Sequence, residues 1–143
     1  MGLDCYIRKI SKLRYSKHNH GLPAPDIDLH FSRVPGYWTP DNELAYWRGH
    51  SGLNKWMMAL ARERGGLNFP IVDSHITILL REEDLEALRF ELIFGDVFHN
   101  FYKQRNLHPS SASIPLAGDS AAIEKALRIA RCNRSYIYFH SNW

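Results

Sequence analysis

The chain has 143 residues and a mass of 16.6 kDa, of which 45% are hydrophobic and 23% charged, with a formal net charge of +3. Fibrous, collagen-like and wholly disordered classes are excluded, and the length fits one domain that buries a core without staples. No apolar run approaches the roughly 20 residues of a membrane-spanning helix. The first ten residues carry Asp4, Arg8 and Lys9 in place of a secretory apolar stretch. A cytoplasmic protein with no membrane partner is expected.

Lys and Arg are spread from Arg8 to Arg134, densest at Arg8-Lys9-Lys12-Arg14-Lys17 and Arg128-Arg131-Arg134. Scattered charge describes a solvated surface, with an anionic ligand or partner as the alternative. Cys5 and Cys132 are the only cysteines, and neither has metal-like spacing. Two thiols do not make a disulfide framework. A reducing compartment and two buried, inert thiols are expected.

Leu3–Ile10 alternates as a strand, and Ser11–Gly21 is polar and reads as a loop. Ile27–Val34 alternates again and ends at Pro35-Gly36. Thr39-Pro40 supplies an N-cap and a first helical position, with Asp41 and Glu43 in the first turn. The predicted helix runs to Arg64 and stops at Gly65-Gly66, with Gly49 and Gly52 inside it as candidate kink points. Ile71–Leu80 is rich in β-branched residues and reads as a strand. Glu82–Phe94 repeats Leu85, Leu88 and Leu92 as a helix closed by Gly95, and Val97–Tyr102 suggests a further helical turn. Leu107–Gly118 reads as a Pro/Ser loop. A helix capped by Asp119 or Ser120 follows to about Arg131, and Tyr136–His140 is the last strand. The fold class is α+β: a small, mainly antiparallel sheet covered by about three helices, residues 1–143 forming a single domain.

On a regular helix from Thr39, Leu53, Trp56, Met57 and Leu60 form one apolar stripe. Glu43, Tyr46, Trp47, His50 and Asn54 fall on its flank, and Arg48, Lys55 and Arg62 face water. Polar groups at such a boundary either bond to one another and fix the helix against the sheet, or line an aromatic-walled ligand pocket. In the second case Tyr46 and Trp47 stack on a flat ring. Arg48 binds phosphate if the glycines turn it inward, and Glu43, His50 and Asn54 supply hydrogen bonds. Aromatic residues continue to Trp143, so the last segment either packs as an edge strand or docks His140 and Trp143 over this flank.

Several segments resemble a family of small, uncharacterised phage and bacterial proteins. The start Met1-Gly2-Leu3-Asp4-Cys5-Tyr6 is similar to its M-G-L-D-M-Y opening. Glu43-Leu44-Ala45-Tyr46-Trp47-Arg48 with Leu53-Asn54-Lys55-Trp56 is similar to its E-x-x-Y-W-R helix. Arg81-Glu82-Glu83-Asp84-Leu85, Leu107-His108-Pro109-Ser110 and Ser141-Asn142-Trp143 resemble its remaining elements in the same order. The resemblance implies one shared fold and a phage or prophage setting in a host cytoplasm. The family's Gly- and Phe-rich segment and Tyr-Asp pair are replaced by Ala112–Gly118, and its Lys after the Arg by Gly49. Some members carry a phosphoglycerate-kinase label. This chain has no Gly-rich phosphate loop, and no cofactor is implied.

His30-Phe31-Ser32 and His75-Ile76-Thr77 resemble the paired His-x-Ser/Thr motif of the two-histidine phosphoesterases. In those enzymes the imidazoles serve as base and acid and the hydroxyls hold a phosphate. His18, His20, Asp26 and Asp28 are the residues closest to a metal-ligand set, without the spacing of a known site. The leading expectation is a non-catalytic protein that binds a small anionic or nucleotide-like ligand, or a host protein. The alternatives are a phosphodiester hydrolase using His30, Ser32, His75 and Thr77, and a nucleic-acid-binding accessory protein.

Overall fold

Four segments of alternating or β-branched apolar residues form one antiparallel sheet in the computed structural model. They are β1 (Asp4–Ser11), β2 (Glu43–Arg48), β3 (His75–Leu80) and β4 (Ser135–Asn142), in the order β2-β1-β4-β3. The helices are α1 (Lys12–His18), α2 (Ser51–Gly65), α3 (Glu82–Phe94), α4 (Val97–Lys103) and α5 (Pro109–Arg131). The structure describes residues 2–18, 40–65, 75–105 and 109–142. This is the α+β architecture expected, with five described helices rather than about three. Among the described residues no helix is long and apolar enough to cross a membrane.

Period-two alternation gives the sheet two distinct faces. Cys5, Ile7, Trp47, Ile78, Leu80, Ile137 and Phe139 enter the main core with Leu53, Met57, Leu85, Leu88, Phe98, Ile123 and Leu127 from the helices. On the opposite face Ile10 and Tyr138 pack with Tyr15 of α1 in a second, smaller cluster. One row on that face crosses all four strands: Tyr46 pairs with Tyr6, Tyr6 with His140, and His140 with Thr77.

Arg64 of α2 locks two further elements to this frame. Its guanidinium donates to the Leu79 carbonyl of β3 and to the Asp84 carboxylate of α3. Asp84 also accepts from the Arg81 backbone N–H at 2.8 Å, capping the start of α3. The pair is largely buried, and removing one partner would strand a buried charge.

The helix expected over Thr39–Arg64 is corrected. Its start signal produces only a 3-10 turn, Pro40–Asn42, after which Glu43–Arg48 extends as β2. Trp47 reaches the core from that strand, and β1 supplies the backbone partners that override helical propensity. Gly49 then turns the chain with φ 74°, its N–H donating to the Leu3 carbonyl at 2.6 Å. Helix α2 starts only at Ser51, so Gly49 is a strand-to-helix corner and not a kink in a helix.

Two expected loops are also corrected. Ser11–Gly21 contains α1, held by Tyr15 in the second cluster. Leu107–Gly118 is largely the first half of α5, which carries Pro115 in its interior. There Ala112 and Asp119 are buried, so packing outweighs the helix-breaking residues. The expected strand at Ile27–Val34 and the 71–74 part of Ile71–Leu80 lie outside the described residues. Cys5 is buried and its thiol is pushed up to about 12, chiefly by burial, whereas Cys132 is exposed. The expectation of two buried thiols therefore holds for Cys5 alone.

Candidate functional site

The corner between β2 and α2 collects an aromatic and polar cluster. His50 occupies the N-cap of α2, and its Nδ1 accepts the Leu53 backbone N–H at 3.1 Å. That bond fixes the tautomer, because an accepting Nδ1 leaves the ring proton on Nε2. The imidazole lies flat on Phe101, centroids 3.9 Å apart at 9°, and meets Phe98 and Trp47 edge-on. Burial, reinforced by the nearby Arg105 guanidinium, pulls its pKa down to about 4. His50 is therefore neutral at pH 7.

Asp119 of α5 ties the cluster together. One carboxylate oxygen accepts from Trp47 Nε1 at 3.0 Å, and the other from the Tyr102 hydroxyl at 2.6 Å. A buried carboxylate held by two neutral donors joins β2, α4 and α5. Burial raises its pKa, and the two hydrogen bonds oppose that shift. The phenol of Tyr102 is raised as well, first by burial and then by its bond to Asp119. Arg105 closes the corner: it lies 3.5 Å over the Phe101 ring and donates to the Arg48 carbonyl.

Beside this cluster lies an open cleft of about 410 Å³ between the start of α2 and the α3–α4 junction. His50, Gly52 and Lys55 line one wall, and Glu91, Asp96 and Phe101 belong to the rest. His50 is 1% exposed, and its Nε2 has no acceptor among the described residues. In the first turn of α2 the Ser51 N–H goes to the Gly49 carbonyl and the Leu53 N–H to His50, and the Gly52 N–H meets no acceptor among the described residues. Lys55 has no carboxylate partner among the described residues. Three donors without acceptors among the described residues thus belong to one wall, at the positive end of a helix dipole.

The expected ligand-binding residues divide between the two faces of the sheet. Trp47, His50 and Asn54 stand together on the helix side. Trp47 is buried and bonded to Asp119, so its indole is enclosed by the fold. Asn54 is 7% exposed, donates to Met58 Sδ at 3.6 Å and has no donor to its Oδ1 among the described residues.

Glu43, Tyr46, Arg48 and His140 do not join them. Tyr46 lies on the opposite face, 45% exposed, with its hydroxyl donating to Asp4 at 2.7 Å and its ring 5.0 Å from Tyr6. Glu43 pairs with Arg8 at 3.4 Å, and Arg48 is exposed at the end of β2. His140 is buried in the same cross-strand row as Tyr46, its Nδ1 2.9 Å from Thr77 Oγ1. The reason is the strand. Along a helix, Glu43 to Asn54 share a flank, whereas along β2 successive side chains alternate, so Tyr46 and Trp47 point to opposite sides. Trp143 lies outside the described residues.

Of the residues expected in a two-histidine site, His30 and Ser32 lie outside the described residues. His75 opens β3 in register with Asn142, and Thr77 is engaged by His140. Among the expected metal-ligating residues, His20, Asp26 and Asp28 lie outside the described residues. Among the described residues no group of three or more His, Cys, Asp or Glu could hold a metal ion.

Asp119, Tyr102, Phe98 and Phe101 are absent from the sequence-derived site. Asp119 reads there as a helix cap, because the ten residues before it contain Pro and Gly. Lys55 reads as water-facing, and in the structure it is exposed and also lines the cleft. Comparison with family models, with curated proteins and with solved structures finds no match for the chain.

Proposed function

We propose that the protein is a non-catalytic binding module that takes a small anionic ligand, nucleotide-like phosphates included, in the cleft at the start of α2. One observation carries this reading: the buried Nε2–H of His50, a donor without an acceptor among the described residues, belongs to a residue lining the cleft at the N-terminus of a 15-residue helix. Leaving such a donor unpaired costs about 1–3 kcal/mol, which an anion reaching it would recover. The Gly52 N–H and the Lys55 ammonium supply two further donors of the same wall.

The tautomer of His50 also supports binding without catalysis. A general base needs a free ring nitrogen, but Nδ1 is already accepting from Leu53 and Nε2 carries the proton. The ring is thus a fixed donor at neutral pH.

Nitrogen-15 NMR titration with inorganic phosphate and with a nucleoside monophosphate tests the proposal. Saturable shifts are expected at the Ser51 and Gly52 amides and at His50 Nε2, weakened several-fold in Lys55→Gln. If neither anion perturbs these signals at millimolar concentration, the reading is wrong.

A further inference from the structure

The wall opposite the donors has the opposite character. Glu91 and Asp96 line it, at the C-terminal end of α3 and the start of α4. Glu91 is partly committed, since its Oε1 accepts the Val97 backbone N–H at 3.3 Å. Asp96 sits at the N-cap of α4 without bonding the helix through its side chain, and it is exposed. Neither carboxylate forms an ion pair with Lys55, although all three line the same cleft.

From this arrangement we infer that the ligand is a zwitterion. Its anionic end is received by His50, Gly52 and Lys55, and an ammonium on the same small molecule by Asp96 and Glu91. The inference rests on the anion reading above and adds the second charge. A purely anionic guest of the cleft would meet two carboxylates on the far wall, and like charges held together are repelled. A purely cationic guest would leave the buried Nε2–H of His50 without an acceptor. A molecule with both ends satisfies both walls at once. The cleft volume of about 410 Å³ lies at the small end of ordinary ligand pockets, which suits an aminoalkyl phosphate or a small amino acid rather than an extended chain.

Phosphoethanolamine carries both charges on a two-carbon spacer, while inorganic phosphate and ethanolamine each carry one. Titrations of the three are followed by calorimetry and by nitrogen-15 NMR. Phosphoethanolamine is expected to bind at least tenfold more tightly than phosphate, shifting the Asp96 and Val97 amides together with Ser51 and Gly52. Asp96→Asn should remove that tenfold advantage, while phosphate binds no more weakly than to wild type, because one repelling carboxylate is gone; Asp96 makes no side-chain bond to the start of α4, so the helix is retained. Equal affinity for phosphate and phosphoethanolamine, or an advantage that survives in Asp96→Asn, overturns the zwitterion while the anion reading stands. Binding of none of the three compounds overturns both.

Discussion

His50 shows how one side chain can be committed to structure and still have capacity left over. Its Nδ1 caps α2, its ring face covers Phe101, and only Nε2 remains. The same burial makes it a source of acid sensitivity. Its folded pKa of about 4 lies below the ordinary histidine value near 6.5, so between those limits the unfolded chain binds the extra proton. Its contribution is intact above pH 6.5 and is lost as pH falls toward 4, about 3 kcal/mol in all. Asp119 acts in the opposite sense, since its raised pKa favours the folded state at low pH and loses that advantage as pH rises through the carboxyl range. Urea denaturation of wild type and His50→Asn at pH 7 and pH 4.5 checks the prediction. Asparagine preserves a cap but does not titrate, so the variant should lose clearly less stability on acidification. An equal loss in both proteins would contradict the assignment.

At the scale of elements, the corner at Gly49 decides where the site is. A residue with φ 74° lets β2 end and α2 begin within two positions, which brings His50 under the α4 aromatics. A Cβ added there would adopt a strained backbone and approach an Arg105 Nη2 at 3.0 Å. Gly49→Ala should cost about 1–2 kcal/mol. Gly52→Ala should be far milder, because the added methyl meets Val97 only at an ordinary 3.7 Å. Thermal melts of the two variants side by side make the comparison, and equal effects would show that the corner is not strained.

The same corner explains what was legible in the sequence. α3 and β4 were readable, because Leu85, Leu88 and Leu92 repeat at helical spacing and Tyr136–His140 is densely β-prone. His50 and Asn54 are legible as polar groups set against the core, and both are buried in the structure. The division of Tyr46 from Trp47 was not legible. Thr39-Pro40-Asp41 is a valid helix start, and nothing local announces that β1 will capture Glu43–Arg48 as a strand. The first half of α5 was hidden for the converse reason. Pro115 and Gly118 argue for a loop, and it is the packing of Ala112, Leu116 and Asp119 that holds a helix there.

At the scale of the whole molecule, two differently furnished sides of one sheet divide the labour. The helix side holds the larger core and the cleft, while the other carries the row Tyr46–Tyr6–His140–Thr77. Apolar surface also remains outside both clusters, where Phe90, Ile93 and Phe94 of α3 are exposed and the two phenyl rings touch at 4.7 Å. None of the described residues covers that stripe.

The central position of β1 and β4 carries a kinetic consequence. Asp4 lies opposite Asn142, so the middle of the sheet pairs two strands with every other described element between them in sequence. Closing so long a loop precedes any reward from the contacts it makes, and such topologies fold slowly. A circular permutant that joins Asn142 to Asp4 through a short glycine-rich turn would convert that encounter into a neighbouring hairpin. Stopped-flow refolding should then be at least several-fold faster in the permutant, and an unchanged rate would mean that some other event limits assembly.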